Sequence, residues 1–117
     1  MSERSEPQLL EPELLADAAA AFGMLSAPSR LQIVWLLATG PSDVGSIAAA
    51  LDQPVAAVSQ HLAKLKIAGL VRARREGRHQ IYVIDDPDVV AVVRTVVSAQ
   101  QARHRRPDGP TVTWTSA

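Results

Sequence analysis

The chain has 117 residues, enough for one domain, and 47% of them are apolar but only 3% aromatic, so Ala, Val, Leu and Ile must build its core. The absence of cysteine excludes disulfides, thiol nucleophiles and thiolate metal sites, and no apolar run approaches the ~20 residues of a membrane span. The formal net charge is zero, but residues 53–83 hold six basic side chains against one acidic one. This local basic surface favours nucleic acid as a partner; the alternative is a solvated charged face.

Both ends of the chain are predicted to be flexible. The first ten residues, MSERSEPQLL, show no signal-peptide pattern, so a cytoplasmic location without membrane contact is expected. From Arg105 onward the sequence has helix breakers and no hydrophobic period. We therefore expect a flexible arm at residues 1–10, one folded domain at residues 11–104 and a flexible tail at residues 105–117.

An amphipathic helix is predicted to open the domain near Pro12. Leu15, Ala18, Ala19 and Phe22 follow the i, i+3, i+4, i+7 spacing of one helix face. This stripe is long enough to bind a partner helix; the alternative is that it covers only the core of its own chain.

A helix-turn-helix is predicted to follow. A second helix starts at Pro28 and ends before the Gly40-Pro41 pair, and a third, shorter one follows Ser42-Asp43, both good N-cap residues. A tight break at Asp52-Gln53 separates it from a longer fourth helix, as in a helix-turn-helix. The side chains of the second and third helices that are predicted to face the core are Leu31, Val34, Trp35, Leu37, Ala38, Ile47, Ala48 and Leu51.

The fourth helix is predicted to have one buried face and one face that reads DNA. Pro54 suits the first helical position, and Gly69 suits the end, where the chain must turn in a left-handed conformation. Apolar residues recur between them at helical spacing and define the buried face. These residues are Val55, Val58, Leu62 and Leu65.

The opposite face and its flanks are small, polar and cationic. Ser59 and Gln60 are predicted to contact base edges, since a glutamine can form two hydrogen bonds with adenine, and Ala56 can contact a thymine methyl group. Lys64 is expected to hold a phosphate. We also include His61 among the DNA-binding residues, with the alternative that it packs at the helix edge.

Two β-rich arms after this helix flank the Glu76-Gly77 pair and predict a hairpin that turns there. Arg74, Arg75 and Arg78 are expected to hold phosphates, and one of them could enter the minor groove. A helix that fits a groove, followed by an arginine-tipped hairpin, is typical of a winged helix-turn-helix that binds DNA. The alternative is a winged-helix module that binds protein.

A fifth helix is predicted from Asp86, a suitable N-cap before Pro87, to about Arg103. Its valines follow helical spacing although β-branched residues favour strands. Because the core of so small a domain offers the valine stripe no obvious partner, we expect the stripe to pack on a second subunit, beside the first helix. The residues predicted at this dimer interface are Leu15, Ala19, Phe22, Val89, Val93 and Val96.

Residues 13–103 resemble the ArsR/SmtB family through this element order and through the phrases LSAPSRLQIVWLL and VSQHLAKLKIAGLVRARREGRHQIYVI. The resemblance implies a mainly α fold with a small β-hairpin, a dimeric winged helix-turn-helix of order α1-α2-α3-α4-β-hairpin-α5. It also implies a homodimeric transcriptional regulator, expected to be a repressor, that binds an inverted-repeat operator in double-stranded DNA.

An enzyme is not expected from this sequence. It has no Gly-rich phosphate loop, no His-x-x-x-His pair and no cysteine. Ser59 and His61 are two positions apart on a helix and do not face each other.

Several ArsR/SmtB members sense metals through ligands on the closing helix. The resemblance places Asp86 and Asp88 at the early ligand positions, but the later positions hold Ala99 and Ala102, which cannot ligate a metal. A rearranged site that uses Asp86, Asp88 or His104 would suit nickel, zinc or cobalt ions. The alternatives are that Asp86 is only an N-cap and that a co-regulator protein supplies the signal.

Overall fold

The computed structural model describes residues 8–106, which form five helices and a three-stranded sheet. The predicted arm at residues 1–10 and tail at residues 105–117 lie mostly outside the described residues. Among the described residues, no helix combines the length and hydropathy that a bilayer crossing requires. The elements are α1 (Pro12–Leu25), α2 (Pro28–Leu37), β1 (Ser42–Asp43), α3 (Val44–Leu51), α4 (Val55–Ile67), β2 (Arg72–Glu76), β3 (His79–Val83) and α5 (Pro87–His104).

Proline and aspartate set most of the helix starts, as the sequence predicted. Pro12, Pro28 and Pro87 each stand in the first turn of a helix, where the missing N–H costs nothing. The Asp43 carboxylate caps α3 by accepting a hydrogen bond from the Ser46 N–H at 2.7 Å. The helix starts were therefore predictable from local chemistry.

The start of α4 differs from the prediction by one residue. Pro54 is the N-cap and not the first helical residue, because its backbone is extended, with φ −62° and ψ 144°. Val55 begins the helix and is 50% exposed, so the prediction that it belongs to the buried face was wrong. It lies at the start of α4, about one turn before Val58, the first residue of the helix that packs into the core.

The core lies where α2, α3 and α4 meet. Its centre is formed by side chains with no exposed surface. Ile33 on α2 belongs to this centre although the predicted stripe omitted it, whereas Leu31 and Trp35 pack only partly against the core. The side chains at the centre are Ile33, Val34, Ile47, Val58, Leu62 and Leu65.

The predicted hairpin forms, but as part of a three-stranded sheet of order β1-β3-β2. Ser42 and Asp43 pair with β3, which attaches the hairpin to the start of α3. The turn is Gly77-Arg78 and not Glu76-Gly77, because Glu76 pairs with His79. Gly77 has φ +62°, as the first central position of a type II′ turn requires.

The two terminal helices of the domain leave apolar side chains uncovered. No α1 side chain is buried in the described structure, and Leu15 and Phe22 are 52% and 60% exposed. Arg30 holds the end of α1 by donating from Nε to the Met24 carbonyl at 2.8 Å. The exposed Leu15 and Phe22 belong to the stripe on α1 that was predicted to lie at the dimer interface.

The valine stripe of α5 divides between two environments. Val93 is only 2% exposed and belongs to the core of its own subunit, which corrects its prediction as an interface residue. Val89 packs partly against the same core, whereas Val96 is 53% exposed. The sequence period identified the helix but could not separate the face that packs on α2 from the neighbouring face.

Candidate nucleic-acid interface

The outer face of α4 presents the predicted reading residues to solvent. Ala56, Ser59, Gln60 and Lys64 are all exposed. The inner face of the same helix is fixed by three side chains with no exposed surface. These anchors are Val58, Leu62 and Leu65. The outer side chains are therefore free to contact another molecule while the helix axis is held.

The turn between α3 and α4 is fixed by an unusual backbone conformation. Asp52 has φ 54° and ψ 49°, a left-handed conformation that aspartate tolerates better than most side chains. The Gln53 side chain then donates from Nε2 to the Ser29 Oγ at 2.8 Å, which ties the turn to the start of α2. The sequence indicated the break at Asp52-Gln53 but not this contact, because the partners are 24 positions apart.

His61 lies at the flank of α4 and is partly buried. Its Nδ1 is buried and has no hydrogen-bond partner among the described residues. This atom is not accessible to DNA. The structure therefore favours the alternative in which His61 packs at the helix edge.

The arginines of the hairpin differ in their partners. Arg74 forms an ion pair with Glu76, with Nη2 at 2.9 Å and Nε at 3.0 Å from Oε2. Arg75 lies opposite Gln80, and Arg78 lies in the turn. Neither Arg75 nor Arg78 has an ion pair with a residue of the described range. Two of the three arginines predicted to contact phosphates therefore have no ion-pair partner in the described range, and the third, Arg74, is paired with a carboxylate.

The base of the hairpin is tied to α5 through a second ion pair. The Arg72 guanidinium donates from Nε and Nη2 to the Asp85 Oδ2 at 3.0 and 2.6 Å. These hydrogen bonds and the positive charge of Arg72 lower the pKa of the Asp85 carboxyl. Asp85 immediately precedes Asp86, the N-cap of α5. This contact has no signal in the sequence, because only the hairpin brings the two positions together.

The start of α3 favours the ionised form of the Asp43 carboxyl. The hydrogen bond from the Ser46 backbone is the main reason that the pKa of Asp43 is lowered, with a hydrogen bond from the Ser46 side chain next. A smaller contribution comes from the charge of His79 on β3. The carboxylate is therefore stabilised in its ionised form, in which it caps α3.

The three candidate metal ligands do not meet within one chain. The Asp86 carboxylate accepts a hydrogen bond from the Asp88 N–H at 2.9 Å, as an N-cap does. His104 is the last residue of α5, about 24 Å from Asp88 along the helix at ~1.5 Å per residue. Within residues 8–106, no group of three or more His, Cys, Asp or Glu side chains is placed to hold a metal ion.

Comparisons with known proteins agree with this geometry. Residues 27–73 match the family model described as bacterial regulatory protein, arsR family. The HTH-type transcriptional regulator KmtR of Mycobacterium tuberculosis is 35% identical over 111 residues, which cover 90% of this chain and 85% of that protein. The HTH-type transcriptional repressor SmtB of the same species is 36% identical over 86 residues, which cover 74% of this chain and 64% of that protein.

A solved structure shares the fold. It is the solution structure of a homodimeric winged helix-turn-helix DNA-binding domain from Mycobacterium bovis, described as a possible ArsR-family transcriptional regulator. The TM-score is 0.75 and the identity 33%, with 92% of this chain and 100% of that chain covered.

The Asp85–Arg72 pair predicts a pH dependence of stability. Because the pKa of Asp85 is lowered by folding, its contribution is present above the ordinary carboxyl pKa and is lost as the pH falls through the folded value. Both side chains of the pair are more than half exposed, so Asp85→Asn should destabilise the protein only slightly at about pH 6, and its deficit relative to wild type should shrink toward about pH 3. Urea unfolding followed by circular dichroism measures both proteins. A deficit that is constant over this range would contradict the assignment.

Proposed function

We propose, since the chain belongs to the arsR family of bacterial regulatory proteins, that it is a transcriptional regulator that binds double-stranded DNA as a homodimer. Its relatives are transcriptional regulators and not enzymes. The observation that carries the proposal is the outer face of α4, exposed and polar on a helix anchored by three fully buried side chains. Regulation of transcription requires access to chromosomal DNA, so we place the protein in the cytoplasm, with residues 11–104 as its functional domain.

The two parts of the interface are proposed to do different work. Gln60 and Ser59 read base edges in the major groove, and Ala56 contacts a thymine methyl group. Lys64 and the hairpin arginines hold phosphates, which position the protein without selecting sequence. His61 contributes through packing at the edge of α4, because its Nδ1 is buried.

Dimerisation is proposed to occur through α1 and α5. Leu15, Ala19 and Phe22 on α1 and Val96 on α5 are exposed apolar positions, and such surface is seldom left uncovered in a lone subunit. The solved neighbour from M. bovis is described as homodimeric. A two-fold dimer places two α4 helices in successive major grooves of an inverted repeat, about 34–36 Å apart. Occupancy of such an operator would repress transcription, as the name of the SmtB relative describes for that protein.

In this dimer, a metal ion that regulates the protein would have to be bound by ligands from both subunits. If two α5 helices pack antiparallel about Val96, Asp88 of one subunit lies eight residues from the crossing on one side, opposite His104 of the partner subunit. Oxygen and imidazole ligands would suit zinc, nickel or cobalt ions. Bound there, the ion would change the dimer geometry and hence the spacing of the α4 helices. A co-regulator protein is the competing source of the signal.

Substitutions at Gln60 and Arg75 should have different effects on DNA binding. Gln60→Ala should cost ~1–3 kcal/mol of discrimination between a selected and a random duplex. Arg75→Ala should weaken both duplexes alike and lower the slope of log affinity against log salt by about one. Fluorescence anisotropy at several salt concentrations measures both effects. A wild-type protein whose weak binding does not depend on salt would instead indicate a winged-helix module for protein partners.

Removal of the exposed Phe22 ring should weaken the dimer. Burial of such a side chain contributes ~1.5–3 kcal/mol, and the homodimer loses one ring from each subunit, so Phe22→Ala should raise the dimer dissociation constant about 100- to 10,000-fold. Asp17 is also exposed on α1 but lies off the apolar stripe, so Asp17→Ala is the matched control and should leave the dimer dissociation constant unchanged. Sedimentation equilibrium measures the constant, and circular dichroism confirms that each variant is folded. A dimer unaffected by Phe22→Ala would remove α1 from the interface.

The intersubunit metal proposal can be tested with mixed dimers. Asp88→Ala and His104→Ala should each abolish cobalt binding, measured by absorption spectroscopy and calorimetry. An equal mixture of the two variants should recover binding, because a mixed dimer keeps one complete Asp88–His104 pair. Failure to recover binding, or a wild-type protein that binds no cobalt, nickel or zinc, would contradict the proposal and favour a protein co-regulator.

A further inference from the structure

Glu76 is an exception in the charge pattern of the interface. It is the one acidic residue in the segment 53–83, which otherwise holds six basic side chains. It lies at the tip of the hairpin as the last residue of β2, where it pairs with His79 beside the turn. An acidic side chain at this place opposes the phosphate binding that the surrounding arginines favour.

The ion pair that Glu76 forms does not stabilise the tertiary fold. Its partner Arg74 is two residues earlier on the same strand, so the pair joins no two elements. The pair between Arg72 and Asp85 differs, since it connects β2 to the start of α5. Both side chains of the Arg74–Glu76 pair are about half exposed, at 46% and 56%. Exposed pairs of this kind are weak and are screened by salt, so a well-placed phosphate can displace the carboxylate.

We propose that Glu76 is an affinity-determining residue that competes with the DNA backbone for Arg74. This inference rests on the proposed function. In a loose complex with random DNA, the Glu76 carboxylate competes successfully for Arg74, and only Arg75 and Arg78 contact phosphates. In a complex with the correct sequence, base contacts fix the hairpin against the backbone, and a phosphate at hydrogen-bonding distance displaces Glu76.

The consequence is a lower affinity for DNA of either kind. In the non-specific complex the loss is the phosphate contact that Arg74 does not make. In the specific complex the loss is the free energy of the Arg74–Glu76 ion pair, which must be broken before Arg74 binds a phosphate. Because the pair outcompetes the non-specific phosphate contact, the second loss is at least as large as the first, and Glu76 limits the affinity of the specific complex.

The experiment compares wild type with Glu76→Gln on two duplexes, one of random sequence and one enriched from a random pool by the wild-type protein. Glu76→Gln should raise affinity for the random duplex about three- to tenfold and steepen its salt slope by about one. Affinity for the enriched duplex should rise at least as much, with no change in its salt slope, because Arg74 already contacts a phosphate in that complex. Glu13→Gln, the same chemical change on the exposed start of α1, should leave both affinities unchanged.

A double-mutant cycle separates the action through Arg74 from a simple loss of negative charge. In the Arg74→Ala background, Glu76→Gln should have little effect on either duplex. A gain on the random duplex alone, or a gain that persists without Arg74, would overturn the inference. If Arg75→Ala also fails to weaken binding, the hairpin does not contact DNA and the proposed function of this element fails. If Arg75→Ala weakens binding and Glu76→Gln has no effect, only the role of Glu76 is wrong.

Discussion

The burial of Val58, Leu62 and Leu65 on one side of α4 is the constraint on which the candidate site depends. These side chains have no exposed surface and pack into the core shared with α2 and α3. Their spacing fixes the rotation of α4 about its own axis, so the opposite side is fixed as well. The same apolar pattern that stabilises the domain therefore determines which residues can face DNA.

The turn that precedes α4 is fixed by polar groups. The left-handed Asp52 ends α3 abruptly, and its N–H and that of Gln53 hydrogen-bond to carbonyls of Ala49 and Ala48. The Gln53–Ser29 hydrogen bond then connects the turn to α2. Apolar packing sets the rotation of α4 about its axis, and these directional bonds fix the turn from which the helix starts.

Local chemistry made much of this fold predictable from sequence, because helix starts at prolines and aspartates need no distant partner. The two-residue strand β1 could not be predicted, since so short a segment has no periodicity and exists only through pairing with β3. The Arg72–Asp85 and Gln53–Ser29 contacts were missed for the same reason. The exposed residues of α4 were identifiable from helical spacing, but the engagement of Arg74 by Glu76 required the strand geometry.

Helix α5 connects the proposed dimer surface to both parts of the DNA-binding unit. Val93 is buried in the core of its own subunit, while Val96, three residues later, is exposed. Arg94 donates a hydrogen bond to the Ala38 carbonyl at the end of α2, at 3.3 Å. Asp85, just before the N-cap of α5, accepts hydrogen bonds from Arg72 of the hairpin. Because interiors are closely packed, a displacement of α5 has to be accommodated around Val93, in the core that also holds the inner face of α4. A ligand with different affinities for two positions of α5 would therefore act on the position of α4 as well as on the dimer spacing.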